Sequence, residues 1–166
     1  MNKLDISFVV DVMLGRLARW LRLLGYSVYY DRFGEDSALL ARAISGKSIL
    51  LTRDHQLADR ASQSGFLLES DDFREQLATV IKKFNLELKL FGDICPLCGG
   101  RIAQVPKETV EGEVPEYTYA THEVFKKCQA CENIYWSGSH RELAIEQLKE
   151  IFMPFQEGNN EIKGNS

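Results

Sequence analysis

Two hydrophobic patterns take turns along the first half of the chain. Phe8-Val9-Val10 and Ile49-Leu50-Leu51 are short apolar runs with no polar face. They read as strands buried on both sides, of the kind found in a parallel sheet. After Asp11, the residues Leu14, Leu17, Ala18, Leu21 and Leu24 recur at helical spacing, and Gly25 ends that helix. Tyr26 to Tyr30 is rich in strand formers and follows as a second strand. Leu39, Leu40, Ala43 and Ile44 predict a second helix closed by Gly46, with Asp36 or Ser37 as its N-cap. A third helix runs from His55 to Ser64, a fourth strand covers Phe66 to Glu69, and Phe73, Leu77, Val80, Ile81 and Phe84 line a fourth helix over Phe73 to Phe84, with Asp72 before it as a cap. Strand and helix alternate with short connections, which predicts an α/β domain whose parallel sheet is covered on both faces.

Both central apolar runs stop at acids. The first is closed by Asp11 and the second by Thr52-Arg53-Asp54, and two parallel strands ending level would bring Asp11 and Asp54 together. The crevice beyond the carboxyl ends of the strands is where open α/β sheets bind ligands. Paired carboxylates there, with no Gly-rich phosphate loop nearby, suit a divalent cation such as Mg²⁺ or Mn²⁺. Glu35 or Asp36, in the loop leaving the second strand, can reach the same crevice. Arg16, Arg19 and Trp20 fall on the far side of the first helix. They suit a phosphate backbone and a stacked base, or equally a solvated face whose Trp fills a gap.

The second half carries a different signal. Cys95-Pro96-Leu97-Cys98 and Cys128-Gln129-Ala130-Cys131 are two C-x-x-C hooks, the form of a zinc ribbon. Four thiolates fill a tetrahedral site completely, so this zinc would hold structure and leave no place for an activated water. The excess length between the hooks, from Val105 to Tyr119, carries Pro106, Gly112 and Pro115 as turn markers of an acidic hairpin or loop. His122 and His140 are surplus to the site. Trp136 is expected to pack the ribbon against the main domain, ahead of a helix from Arg141 to Phe152. The division expected is residues 1–90 for the α/β domain, 91–152 for the ribbon and its helix, and 153–166 for a disordered tail without core residues. Leu86 to Ile94 bridges the two with the alternation of an added strand.

Composition narrows the class. With 166 residues, 45% of them hydrophobic, the chain can bury roughly 70% of its unfolded surface without staples. A net charge of −4 argues against a basic coat for nucleic acid, though not against a basic face. The apolar run from Ile6 to Val10 is too short for a signal peptide, and no run approaches the ~18 residues of a membrane span. The expected setting is the cytoplasm, where the four cysteines are metal ligands rather than disulfides.

Phe8 through Tyr26, Leu50-Leu51-Thr52-Arg53-Asp54, the paired hooks, and Tyr135-Trp136 with Gly138 and His140 together resemble the PIN-like RNase domain first named from the C-terminus of the nematode Mut-seven exonuclease, in which a zinc ribbon is fused to the fold. The likeness spans nearly all of residues 4 to 152. It implies a PIN-like three-layer α/β/α domain and hydrolysis of RNA with divalent metals. By this similarity Asp11, Asp36 and Asp54 match the acids. For hydrolysis at those acids, Arg53 and Arg19 are the expected residues to position the RNA backbone. Related nucleases often carry a fourth acid soon after the position of Asp54; here Gln56 and Leu57 stand there, with Asp59 and Asp72 as substitutes. A phosphatase using Asp11 as nucleophile lacks its usual second Asp, since Met13 occupies that place. The non-enzymatic alternative is an RNA- or ribosome-associated binding module that works through its ribbon.

Overall fold

The structure, a computed structural model, describes residues 6–87, 93–136 and 146–151. Strands β1 (Ser7–Val10), β2 (Ser27–Tyr30), β3 (Ile49–Thr52) and β4 (Gly65–Leu67) form a parallel sheet in the order β2-β1-β3-β4. The two strands with unbroken apolar runs are the two in the middle, which is why neither shows a polar face. Helices α1 (Gly15–Leu23) and α4 (Phe73–Phe84) cover one side, and α2 (Asp36–Ser45) and α3 (His55–Ala61) cover the other. Strand alternation divides the core between them: Phe8, Val10 and Leu51 pack under α1 and α4, whereas Val9 and Leu50 pack under α2 and α3. The result is a three-layer α/β/α unit. Between β1 and β3 the strand order reverses, and their register of Val10 against Leu51 leaves Asp11 and Thr52 side by side at that reversal.

The first helix departs from its expected form at both ends of its logic. Asp11 leads into a 3-10 turn, Val12–Leu14, before α1 begins at Gly15. A side chain at Gly15 would collide with the Tyr30 ring, whose hydroxyl donates to the Val12 carbonyl at 3.1 Å. Further along, Trp20 is a correction to the nucleic-acid face. It is only 8% exposed and stacks on Phe73 with ring centroids 5.9 Å apart. Helix α4 packs beside α1, so α1 has two buried sides instead of one. Trp20 is a core residue, and its truncation to Ala would cost about 3–5 kcal/mol.

The second sheet is antiparallel. Strands β5 (Ile102–Val105), β6 (Phe125–Cys128) and β7 (Ile134–Trp136) run in that order, and the two cysteine hooks flank it. The segment expected as a hairpin or loop is instead helical in part, with a 3-10 turn at Lys107–Val110 and a short helix α5 (Glu116–Thr121). Pro106 and Pro115 each sit just before a helical turn, where a fixed φ starts a helix as readily as it breaks one. Val110, Val114 and Phe125 make a small core of their own there. Trp136 is 37% exposed, pairs with Phe125 and lines a cleft with Glu113, Val114 and Ile134. After the ribbon, residues 146–151 are helical, and Leu148 lies fully buried in the α1–α4 core. The chain thus returns to the α/β unit instead of ending with the ribbon. The proposed added strand falls partly, and His140 and the tail wholly, outside the described residues.

Candidate functional site

The Thr52 hydroxyl is the node of the crevice. It donates to Asp11 Oδ2 at 2.7 Å and accepts the Asp54 backbone N–H at 3.0 Å. Thr52 is fully buried and Asp11 is 5% exposed. Among the described residues Asp11 has no ion-pair partner, and its second oxygen, Oδ1, has no hydrogen-bond partner. Among the described residues no buried polar side-chain atom lacks a partner, so Oδ1 is accessible to solvent. With Oδ2 held by one neutral hydroxyl, the free oxygen of this carboxylate is available to a cation. Asp54 caps α3 by accepting the Leu57 N–H at Oδ1, 3.0 Å, and leaves Oδ2 to solvent. The donor set on offer is hard oxygen, which suits Mg²⁺ or Mn²⁺.

The other acids are placed differently. Asp36 is the first residue of α2, not its cap; Glu35 holds the cap position. Its carboxylate pairs with Arg60 Nη1 at 3.4 Å, with both side chains half exposed. A surface pair of that kind is worth ~0–1 kcal/mol, little enough to be exchanged for a metal ion. Asp72 caps α4, accepting from the N–H groups of Arg74 and Glu75. Asp59 is exposed on α3. Among the described residues no trio of carboxylates is gathered as closely as the cysteines below.

Arg16 and Arg19 are exposed on α1 and Arg53 is half-buried just beyond β3. The Arg16 guanidinium lies over the Phe73 ring at 3.7 Å, and Arg74 approaches the same ring at 5.9 Å. Neither has an ion-pair partner among the described residues. Arg74 escaped the sequence reading because nothing local links it to α1; a cation at the start of the fourth helix is the only trace it leaves.

The four cysteine sulfurs lie within 4.8 Å of one another. Cys95 to Cys131 is 3.7 Å and Cys98 to Cys128 is 3.5 Å, close to the ~3.8 Å edge of a tetrahedron with bonds of ~2.3 Å. They are placed to hold a metal ion such as zinc. Each sulfur also meets a donor: Tyr135 Oη on Cys95 at 2.9 Å, the Gly100 N–H on Cys98, the Ala130 N–H on Cys128 and Asn133 Nδ2 on Cys131. Such outer contacts orient ligands and temper their charge. Asn133 holds the Cys131 thiol down at about 6, while burial among the other sulfurs pushes Cys98 up to about 12. Burial, and then Cys95, pushes the Tyr135 phenol up. At Gly100 any side chain would crowd Ala130 and the Cys128 and Cys98 sulfurs. His122 is occupied by Thr118 and Thr121.

A family model, the Mut7-C RNAse domain, matches residues 6–148, which takes in the crevice, the ribbon and the return to the core. The chain belongs to that family. Comparison with curated proteins and with solved structures gave no match. As a Mut7-C RNAse domain the chain is of nuclease type, and RNA is the substrate class that the family implies. No helix among the described residues is long and apolar enough to cross a membrane.

Proposed function

We propose that this Mut7-C RNAse domain hydrolyses phosphodiester bonds in single-stranded RNA with divalent metal ions at the Asp11–Asp54 crevice, and that its ribbon carries a structural zinc. The carrying observation is the Thr52 hydroxyl, which fixes Asp11 and the Asp54 backbone while leaving one oxygen of each carboxylate open. Asp11 Oδ1 and Asp54 Oδ2 would be the principal metal donors, with Asp36 joining them on leaving Arg60. When bound there, a divalent ion would supply a water of lowered pKa and offset charge on the scissile phosphate. Asp11 and Asp54 set where that charge is offset, Thr52 keeps Asp11 from turning away, and Arg53 with Arg19 would hold the backbone across the strand ends. The water oxygen bonds to phosphorus and gives its proton to solvent or to a crevice carboxylate, while the bond to the leaving ribose oxygen breaks and that oxygen takes a proton from solvent. Asp59, exposed on α3, and Asp72, which caps α4, stay outside this proposal.

The experiment is cleavage of an end-labelled single-stranded RNA by the full chain in Mn²⁺ and in chelator. Products that form in Mn²⁺ and vanish in chelator support the reading. RNA that binds but stays whole in both would favour the binding-module alternative.

A further inference from the structure

With Trp20 in the core, the crevice needs another surface for a base, and the loop after β2 offers one. Phe33 is 87% exposed, the most exposed of the large hydrophobic side chains among the described residues. Its loop starts beside Asp11, because β2 pairs with β1 through Tyr30 against Val10. The Tyr30 hydroxyl, bonded to the Val12 carbonyl, ties the root of the loop to the turn that follows Asp11. That turn itself exposes Val12 and Met13, the latter at 65%. Three apolar side chains therefore face water at the mouth of a charged crevice.

Phe33 is not exposed through slackness. Its backbone N–H donates to Asp31 Oδ1 at 2.9 Å and the Gly34 N–H donates to the Asp31 carbonyl at 3.2 Å. This turn, built on an Asp side chain, holds the ring outward. The neighbouring Arg32 is exposed and has no ion-pair partner among the described residues, so cation and ring stand together at the tip. A polyanion with flat apolar faces answers both features, and an unpaired strand is the form of RNA whose bases are free to stack. We infer that Phe33 stacks on a base of single-stranded RNA lying across the Asp11–Asp54 crevice, with Arg32 facing the adjoining phosphate. The assignment rests on the nuclease reading above and names the contact that selects single strands.

The test uses the full chain with Phe33→Ala, Phe33→Leu and Phe33→Trp, all at a position too exposed to be needed for folding. Stacking predicts that Ala and Leu each raise KM for single-stranded RNA about tenfold. Trp keeps a KM near that of wild type, and its fluorescence is quenched when RNA is added in chelator, beyond the change seen for wild type with Trp20 and Trp136 alone. Should Leu behave as Phe does, the contact is merely apolar and the stacking assignment falls. A KM unchanged in Phe33→Ala, in a protein that still cleaves, overturns the assignment and leaves the nuclease reading standing. Failure of wild type to bind or cleave RNA removes both.

Discussion

The Arg22 guanidinium donates to the Leu97 carbonyl at 2.8 Å, reaching from α1 into the middle of the first cysteine hook. Its Nε and Nη2 both donate to the Val28 carbonyl, so one buried side chain joins the first helix, the edge strand β2 and the ribbon. Burial lowers its pKa, while Cys98 and Cys95 act to raise it. A zinc ion with four thiolates carries a net negative charge, which Arg22 stands ready to offset.

Arg22→Met should therefore do two things at once. Loss of three charge-assisted hydrogen bonds at a residue 3% exposed should cost about 2–4 kcal/mol, read as a fall in the melting temperature. Zinc should also pass faster to a chelator. Unchanged melting and unchanged release would mean that ribbon and α/β unit are independent.

Cys98→Ser removes one of four thiolates and should release zinc and unfold the ribbon, because a closed metal site supplies its folding energy locally. The parallel sheet should persist, weakened by the loss of the Arg22 anchor. Amide exchange resolves the two: protection lost over 95–136 and kept over β1 and β3 is the expected pattern.

How much of this could be read beforehand depended on how local the signal was. The central strands showed themselves because burial on both faces leaves an unbroken apolar run, and α4 showed its extent because an apolar stripe runs from Phe73 to Phe84 behind the Asp72 cap. The hooks were legible because their spacing is a chemical requirement. Trp20 and Arg22 were not, since the partners that bury them, Phe73 and Leu97, lie far along the chain and leave no periodicity in α1. Asp36 looked like a cap for the same reason: Arg60, its partner, is 24 residues away. The acids at the strand ends were evident as residues, whereas the hydroxyl that binds Asp11 to Asp54 emerged only from the register of β1 against β3.

In the proposed reaction Thr52 would act as a positioning residue, through its hydrogen bond to Asp11. Thr52→Val keeps the shape but frees Asp11 from its one side-chain partner among the described residues, and kcat should fall about tenfold or more with KM little changed. Thr52→Ser restores the hydroxyl and should recover most of the rate. Equal loss in Ser and Val would point to packing instead of orientation.

Arg16→Gln with Arg19→Gln should weaken RNA binding and flatten its salt dependence by about one to two ion equivalents, since both cations are exposed on α1. An unchanged slope would move the backbone contacts to Arg53 and Arg32.

The central claim is that Asp11 serves a metal ion that serves the chemistry. Asn keeps the acceptor for Thr52 and removes the charge, so the metal-free Asp11→Asn protein should melt no lower than wild type, and saturating Mn²⁺ should raise the melting temperature of wild type alone. The most direct measurement is the initial rate of single-stranded RNA cleavage in Mn²⁺ by wild type and Asp11→Asn, side by side. A loss of about a thousandfold in the variant, with its fold intact, is the result predicted. Equal rates in the two proteins would contradict it.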